Sequence, residues 1–309
     1  MRDRPLIDKP TFVLLWCLVR VLRLLPLPLV RWLGASVGGL LYYMVPGRRK
    51  IGLANLDTVY GDRLSRREKR RIARKSAKHF LESALVFTRC YWWSREKLDG
   101  LMDAQSIARL DERLAREDGK GLIIVSGHLS NFPLVIVYLR QWGMPVAAEV
   151  RRGGFKPVEQ MLDRIRDERG VSSLARGSTA VRARRFLEDG GVIWSIIDQD
   201  ARPGVLVDFF GKPATTYPTA VRLARAFDVP ILPLFVRQNE AGKYVLDTES
   251  VIRLPHGKPT GDELVAELRH LNGLLEQHIL RTPEQWLWTH RRWRTAEKTL
   301  RRQQSVETT

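Results

Sequence analysis

The sequence predicts an α/β fold with a mainly parallel central sheet flanked by helices, preceded by a helical N-terminal segment. Two observations carry this. Short runs rich in β-branched residues at Leu122–Ser126, Val146–Val150, 192–197 and 231–236 alternate with helical stretches at 158–169, 179–188 and 217–226. Such alternation marks a parallel sheet, because each parallel connection has to cross over, usually through a helix. Ahead of them, residues 11–44 are mostly apolar yet interrupted by Arg20, Arg23 and Arg31 and broken by Pro26 and Pro28.

That interruption makes the first segment a weak candidate for a helix spanning a bilayer, with a single N-terminal anchor as the alternative to a monotopic attachment. The segment's longest uncharged stretches, 10–19 and 32–47, fall short of the roughly 20 apolar residues a crossing helix needs. A secretory signal fits poorly, since the apolar region runs past Arg20 and Arg23 with no small-residue cleavage site to close it. Two short amphipathic helices, 12–25 and 29–44, fit better, lying in a membrane interface with their arginines reaching the headgroups. An ordinary two-helix hairpin packed on a core is the alternative. Arg48, Arg49 and Lys50 come directly afterwards and favour anionic lipid. Ser65 then opens a strongly basic helix, with Glu68 three residues on completing a capping box and Ile72, Phe80 and Leu85 as its inward stripe. The organisation expected is 1–47 as membrane-associated helices, 48–118 as a basic helical region, and 119–309 as an α/β core ending in a helix and a Trp/Arg-rich tail.

Composition narrows the partners. The 309 residues hold 52 Lys and Arg against 34 Asp and Glu, a net charge of +18, so an anionic partner is expected: nucleic acid, a membrane surface, or an acidic or phosphorylated substrate. No nucleic-acid-binding motif accompanies the basic helix, which reads as solvated or membrane-facing. Nine Trp, ten Phe and seven Tyr exclude disorder. Cys17 and Cys90 cannot form a disulfide framework, and no short-spaced Cys/His pairs offer a structural metal site.

In a parallel sheet the chemistry gathers at the carboxyl ends of the strands. Two strands run straight into polar residues there: Gly127-His128-Leu129-Ser130-Asn131 after the first, Asp198-Gln199-Asp200 after the third. His128 precedes Ser130 or Asn131, either a good N-cap, with Pro133 just inside an expected helix 132–139. A titratable nitrogen beside a positive helix end and free backbone N–H groups suits a general base with oxyanion stabilisation. A loop histidine is equally a structural hydrogen-bonder, and the residues alone leave both readings open. His79, His256, His270 and His278 have no second chemical group beside them, while His290, in Thr289-His290-Arg291-Arg292, suits an anion. A Gly-x-Ser-x-Gly elbow and a Walker phosphate loop are both absent from the sequence.

These motifs together resemble the bacterial lipid A biosynthesis acyltransferases, within the wider lysophospholipid acyltransferase superfamily. The likeness runs through Arg48-Arg49, Asn55-Leu56, Gly127-His128-Leu129-Ser130-Asn131-Phe132, Gly190-Gly191 and Asp198-Gln199-Asp200. It continues through Val207-Asp208-Phe209-Phe210-Gly211-Lys212-Pro213-Ala214, Leu223-Ala224-Arg225 and Pro283-Glu284-Gln285-Trp286-Leu287-Trp288-Thr289-His290-Arg291-Arg292-Trp293. The resemblance implies a glycerolipid-acyltransferase-like fold. It also implies transfer of a fatty acyl chain from a thioester, on acyl carrier protein or coenzyme A, to a hydroxyl of an anionic membrane lipid at the cytoplasmic face of the inner membrane. That chemistry uses His128 as base and needs no metal or redox cofactor, only the acyl thioester as co-substrate. Arg151 and backbone N–H groups near Asn131 are the implied oxyanion donors.

One departure matters. The family pattern places Asp or Glu five residues after the histidine, where this chain has Pro133. Asp198, Asp200 or Glu149 is then the expected substitute, a backbone carbonyl is the alternative support for the ring, and an inactive lipid-binding relative is the rival outcome. Arg151 and Arg152 before Gly153-Gly154 suit a phosphate or pantetheine clamp, and Arg169 suits either a substrate contact or a helix C-terminus. Phe209 and Phe210 are expected along an acyl channel or in the core. Trp286, Trp288 and Trp293 among Arg291, Arg292 and Arg294 suit a membrane interface.

Overall fold

A computed structural model describes residues 5–117, 119, 121–150, 155–175 and 180–307. The chain begins with two helices, α1 (Pro5–Leu22) and α2 (Leu27–Met44), separated at Pro26; Pro28 sits in the first turn of α2, where its missing N–H costs no hydrogen bond. Next come α3 (Pro46–Tyr60) and the long α4 (Arg66–Cys90), which opens on the capping box formed by Ser65 and Glu68. α2 lies directly on α4. A Cβ on Gly34 would stand 2.5 Å from the Glu82 Cα, and one on Gly38 would stand 2.4 Å from the Ala77 carbonyl oxygen, so only glycine permits this approach.

Two short helices, α5 (Arg95–Asp99) and α6 (Ala104–Arg116), lead into the sheet. Then β1 (Leu122–Ser126), α7 (Leu134–Gln141), β2 (Val146–Val150), α8 (Lys156–Asp167), β3 (Ser172–Ala175), α9 (Ala180–Glu188) and β4 (Val192–Ile196) alternate as the pattern requires. A hairpin, β5 (Val205–Phe209) and β6 (Lys212–Thr216), stands apart from the main sheet. α10 (Thr219–Phe227), β7 (Ile231–Gln238), β8 (Tyr244–Thr248), α11 (Gly261–Arg281) and α12 (Arg294–Glu307) complete the chain.

The main sheet has the order β3-β2-β4-β1-β7-β8, parallel throughout except for the antiparallel β7–β8 edge. β1 sits near its centre, and its side chains alternate between two cores: Leu122 and Ile124 face α4, α6, α7 and α8, while Ile123 and Val125 face α3, α9, α10 and α11. Both faces of β1 and β4 are buried, hence their near-continuous apolar sequence.

The sequence pattern missed β3, β8 and the hairpin, which are short and poor in β-branched residues or lie in a stretch read as a loop. The hairpin turns on Phe210 at φ +55° and Gly211 at φ +70°, the two-residue geometry whose twist matches antiparallel strands. α7 begins at Leu134 after Pro133 and has no side-chain cap; Ser130, expected as a cap, instead takes a left-handed φ of +48°.

The outer surface of α1, α2 and the turn between them exposes large apolar side chains, among them Leu14 of α1 at 70%, Leu24 of the turn at 83% and Trp32 of α2 at 64%. No described helix is long and apolar enough to cross a membrane.

Candidate active site

The carboxyl ends of β1 and β4 lie side by side because these strands pair in register from Leu122↔Val192 to Ser126↔Ile196. The loops leaving the two strands therefore meet, bringing Gly127-His128 beyond β1 against Asp198-Gln199 beyond β4. Gly127 keeps the crossing point tight, since a Cβ there would sit 2.7 Å from the Leu275 side chain, which would have to shift, and 3.4 Å from the Asp198 carboxylate.

Asp198 holds His128 at two points. Its Oδ1 lies 2.7 Å from the imidazole Nδ1, and its Oδ2 accepts the His128 backbone N–H at 2.7 Å. The Trp286 indole N–H also donates to Oδ2, at 2.8 Å. Asp198 is 2% exposed. Burial by itself would raise its pKa, but the neighbouring imidazole and these three hydrogen bonds outweigh that and hold the carboxyl below the usual carboxylate range. With Nδ1–H given to Asp198, the lone pair of the neutral ring is on Nε2. The Gln199 amide nitrogen lies 3.1 Å from that Nε2.

The loop carrying His128 is pinned from outside the sheet. Ser130 N–H donates to the Gln285 carbonyl at 2.8 Å, Leu287 N–H donates to the His128 carbonyl at 3.2 Å, and Leu129 bridges Trp286. His79 of α4 meets the Ser130 hydroxyl at 3.0 Å, and burial pulls its pKa down to about 4. The ring of Phe132 stands edge-on to His128 at 4.7 Å and stacks on Trp194 at 5.5 Å.

His128 opens on a cavity of about 560 Å³ between α4, α7, α8 and the strand ends. Its walls are largely apolar, with Phe87 and Tyr91 from α4, Ile136 from α7, and Met161 and Ile165 from α8. The volume lies within the usual range for a small-molecule site, roughly 300–1,000 Å³. Phe80, expected to point inward from α4, instead lines this cavity.

The other expected site residues divide. Asn131 is fully buried on the cavity wall, with its side-chain amide toward the Tyr244 hydroxyl. Glu149 lines the same cavity and accepts from the Ser195 hydroxyl at 2.6 Å. Asp200 does not meet the imidazole. It accepts from Thr215 Oγ1 at 3.0 Å, from the Thr295 N–H at 3.0 Å and from Thr295 Oγ1 at 2.8 Å, which makes it the anchor for the start of α12.

Arg169 is not a cavity residue; its guanidinium sits 5.7 Å from the ring of Tyr91, and its carbonyl accepts from Arg140. Phe209 is fully buried in the core against Trp286 and Trp293, both at 5.9 Å, and Phe210 packs beside it at 4.8 Å, so neither lines the channel. Arg151 and Arg152 lie outside the described residues.

Trp286, Trp288 and Trp293 are at most 3% exposed, which corrects the expectation of a membrane interface there. Arg292 is also fully buried; it donates to the Gln199 carbonyl at 3.2 Å and to Thr216 Oγ1 at 2.7 Å, and burial lowers its pKa to about 10. Sequence reasoning assigned no role to Gln199, although its place beside Asp198 was the available signal, and it misplaced Trp286.

A histidine–carboxylate pair thus sits at the strand ends of a parallel sheet, on the wall of an apolar cavity, and such a pair can accept and return a proton. The family described as bacterial lipid A biosynthesis acyltransferase matches residues 4–295, and the chain belongs to that family of acyltransferases. Among similar proteins, the lipid A biosynthesis lauroyltransferase of Escherichia coli K12 is 25% identical over 300 residues, covering 93% of each chain. The lipid A biosynthesis palmitoleoyltransferase of the same strain is 27% identical over 297 residues, covering 93% of this chain and 92% of the relative. A lipid A biosynthesis acyltransferase of Shigella flexneri matches to the same extent.

Proposed function

We propose that this acyltransferase moves a fatty acyl chain from a thioester to a hydroxyl of a lipid A precursor or related glycolipid, with His128 as the general base. The observation that carries this reading is the Asp198-held imidazole on the wall of an apolar cavity. The donor is an acyl thioester of acyl carrier protein or coenzyme A, and the chemistry requires no other cofactor.

The acceptor hydroxyl gives its proton to His128 Nε2 as its oxygen attacks the thioester carbonyl. Gln199 releases Nε2 for that contact, and the Asp198 carboxylate stabilises the imidazolium. The tetrahedral oxyanion is met by the backbone N–H groups of Asn131 and Phe132, which form no backbone hydrogen bond among the described residues. Collapse breaks the carbon–sulfur bond, and the leaving thiolate takes the proton back from Nε2. An ester and a free thiol result. Arg151 is the further oxyanion donor to test.

We also propose that the enzyme works at the cytoplasmic face of the inner membrane, held there without a crossing helix. The exposed apolar side chains of α1 and α2 support this, as do Arg67, Arg70, Arg71, Arg74, Lys75 and Lys78, which line a recess beside Tyr42 and Tyr43. Each cation near an anionic leaflet contributes roughly 1 kcal/mol.

The test measures thiol release from both thioester classes with a panel of lipid acceptors, products being identified by mass spectrometry, for native protein and His128→Ala. Acceptor-dependent turnover lost in His128→Ala is the expected result. Absence of turnover with every pair, in protein that still binds lipid, would sink the catalytic reading and favour a silent relative.

A further inference from the structure

A second cavity, of about 500 Å³, lies against the β4 loop beside the site just described. Gln199 lines the apolar cavity with His128, and the next residue, Asp200, lines this one. Their Cα atoms are consecutive, about 3.8 Å apart, so the two spaces flank the reacting position on either side of one short loop.

The character of the second cavity is the opposite of the first. Four arginines line it: Arg48 from the first turn of α3, Arg202 from the loop after β4, and Arg291 and Arg294 from the C-terminal segment. Among the described residues Asp200 is the one carboxylate on its wall, and that group is already engaged by Thr215, Thr295 and the Arg202 guanidinium, the last at 3.3 Å. Arg48 donates to the Thr289 carbonyl at 3.2 Å and Arg202 to the Thr295 hydroxyl at 2.6 Å, so two of the four guanidinium groups are held in place. Arg291 and Arg294 are exposed and form no ion pair or hydrogen bond through their side chains among the described residues.

His290 completes the wall. Its Nε2 accepts the Asp200 backbone N–H at 2.9 Å, which leaves the proton of the neutral ring on Nδ1. The excess is thus three positive charges around a half-open recess, next to the general base. Planar guanidinium groups in such numbers match the oxygens of a phosphate, which they bind through paired N–H donors.

We infer that this recess binds a phosphate group carried by one of the two substrates. The inference rests on the acyl-transfer reading and deepens it: the acyl chain occupies the apolar cavity, and a phosphate on the acceptor lipid or on the phosphopantetheine arm of the donor anchors the polar end across the Gln199–Asp200 loop. Either source presents the same chemistry to the arginines.

Phosphorus NMR titration of inorganic phosphate, with the full chain, gives a readout independent of turnover. The dissociation constant rises at least tenfold in Arg291→Ala/Arg294→Ala and stays at the native value in the control Arg109→Ala/Arg182→Ala, which removes equal charge elsewhere. Kinetics then separate the sources. A KM raised for a phosphorylated glycolipid acceptor and not for its dephosphorylated form assigns the site to the acceptor. A KM raised for acyl-coenzyme A and not for the phosphate-free N-acetylcysteamine thioester assigns it to the donor. Equal phosphate affinity in native protein and Arg291→Ala/Arg294→Ala overturns the inference, as does weakened phosphate binding with every KM unchanged, which would mark an adventitious ion only. If native protein shows no turnover with any pair, the acyl-transfer reading fails on its own, and the phosphate titration still decides the recess.

Discussion

Two segments of this chain, residues 11–44 and the stretch from Trp286 to Trp293, share a composition of large apolar residues and arginines, yet they occupy opposite environments. In residues 11–44 many of the large apolar residues face outward, with Leu24, in the turn between α1 and α2, 83% exposed. In the C-terminal stretch the same residue types are internal: Trp286 donates to Asp198, Trp288 is fully buried against Tyr60 and Trp286, and Arg292 lies under the sheet end holding Gln199. The difference lies in the hydrogen-bond partners. A buried indole or guanidinium is tolerated only where acceptors are placed for it. The β4 loop and the β5–β6 hairpin supply them at the C-terminal end, while α2 buries Val30 and its glycines, sends Arg31 to the Gly242 carbonyl, and leaves Trp32 exposed.

The comparison breaks first at the carboxylate the C-terminal stretch supports. Asp198→Asn is expected to lower kcat on the order of 10⁴-fold while the protein stays folded, because an amide no longer holds the reactive tautomer. A loss below tenfold, measured by thiol release, would mean that Trp286 and its neighbours frame something other than the reacting group. At the other segment, Leu14→Ser/Leu24→Ser removes apolar area worth about 1.5–3 kcal/mol per side chain if it enters lipid. Vesicle co-sedimentation should weaken at least tenfold, and unchanged partitioning would assign that surface to another partner.

Trp286→Phe tests the buried indole more gently. It keeps the ring and removes one charge-assisted hydrogen bond, so urea unfolding should show a loss of about 1.5–3 kcal/mol. A neutral result would place the indole bond outside the stability of the site.

Acid stability sharpens the contrast further, because the interior segment carries a histidine kept neutral by burial. His290, like His79, is held down to about 4 by burial. The unfolded chain therefore binds more protons than the folded one between about pH 6.5 and pH 4, and stability is lost as pH falls through that window. Each histidine adds up to about 1.4 kcal/mol per pH unit, and Asp198, held low, adds its own loss only below about pH 4. Unfolding midpoints followed from pH 7 to pH 4 should fall less steeply in His290→Gln, and an identical slope would contradict the buried neutral state.

The smallest effect is expected from Pro133→Glu, which restores the family's carboxylate. With Nδ1 already taken by Asp198, kcat should change less than about twofold. A large gain would show that the Asp198 contact is a poor substitute.

Much of the fold was legible in the residue pattern. β1 and β4 are short runs rich in β-branched residues and buried throughout, β2 and β7 are apolar over most of their length, and such strands announce a parallel sheet. The Ser65 capping box was equally plain, since it is a local agreement between a side chain and the backbone three residues on. β3, with Ser172 and Ser173, and the β5–β6 hairpin were not, because their strand state comes from pairing with a neighbour. In the site, His128 was marked by its junction and Asp198 by its strand end, but nothing local separates Asp198 from Asp200. The bend after β4 directs one carboxylate at the imidazole and the other, two residues on, at Thr215 and Thr295.

The sequence by itself determined the strand–helix alternation, the excess of cations and the chemical types at the strand ends, because periodicity, charge and residue type are properties of neighbours along the chain. Only the tertiary structure decided that Asp198 reaches His128 while Asp200 does not, that Phe209 and the tryptophans are core, and that an apolar and a cationic cavity share one loop. Those outcomes depend on segments such as Gly127 and Trp286, far apart in sequence and brought into contact by the packing of the sheet and its covering helices.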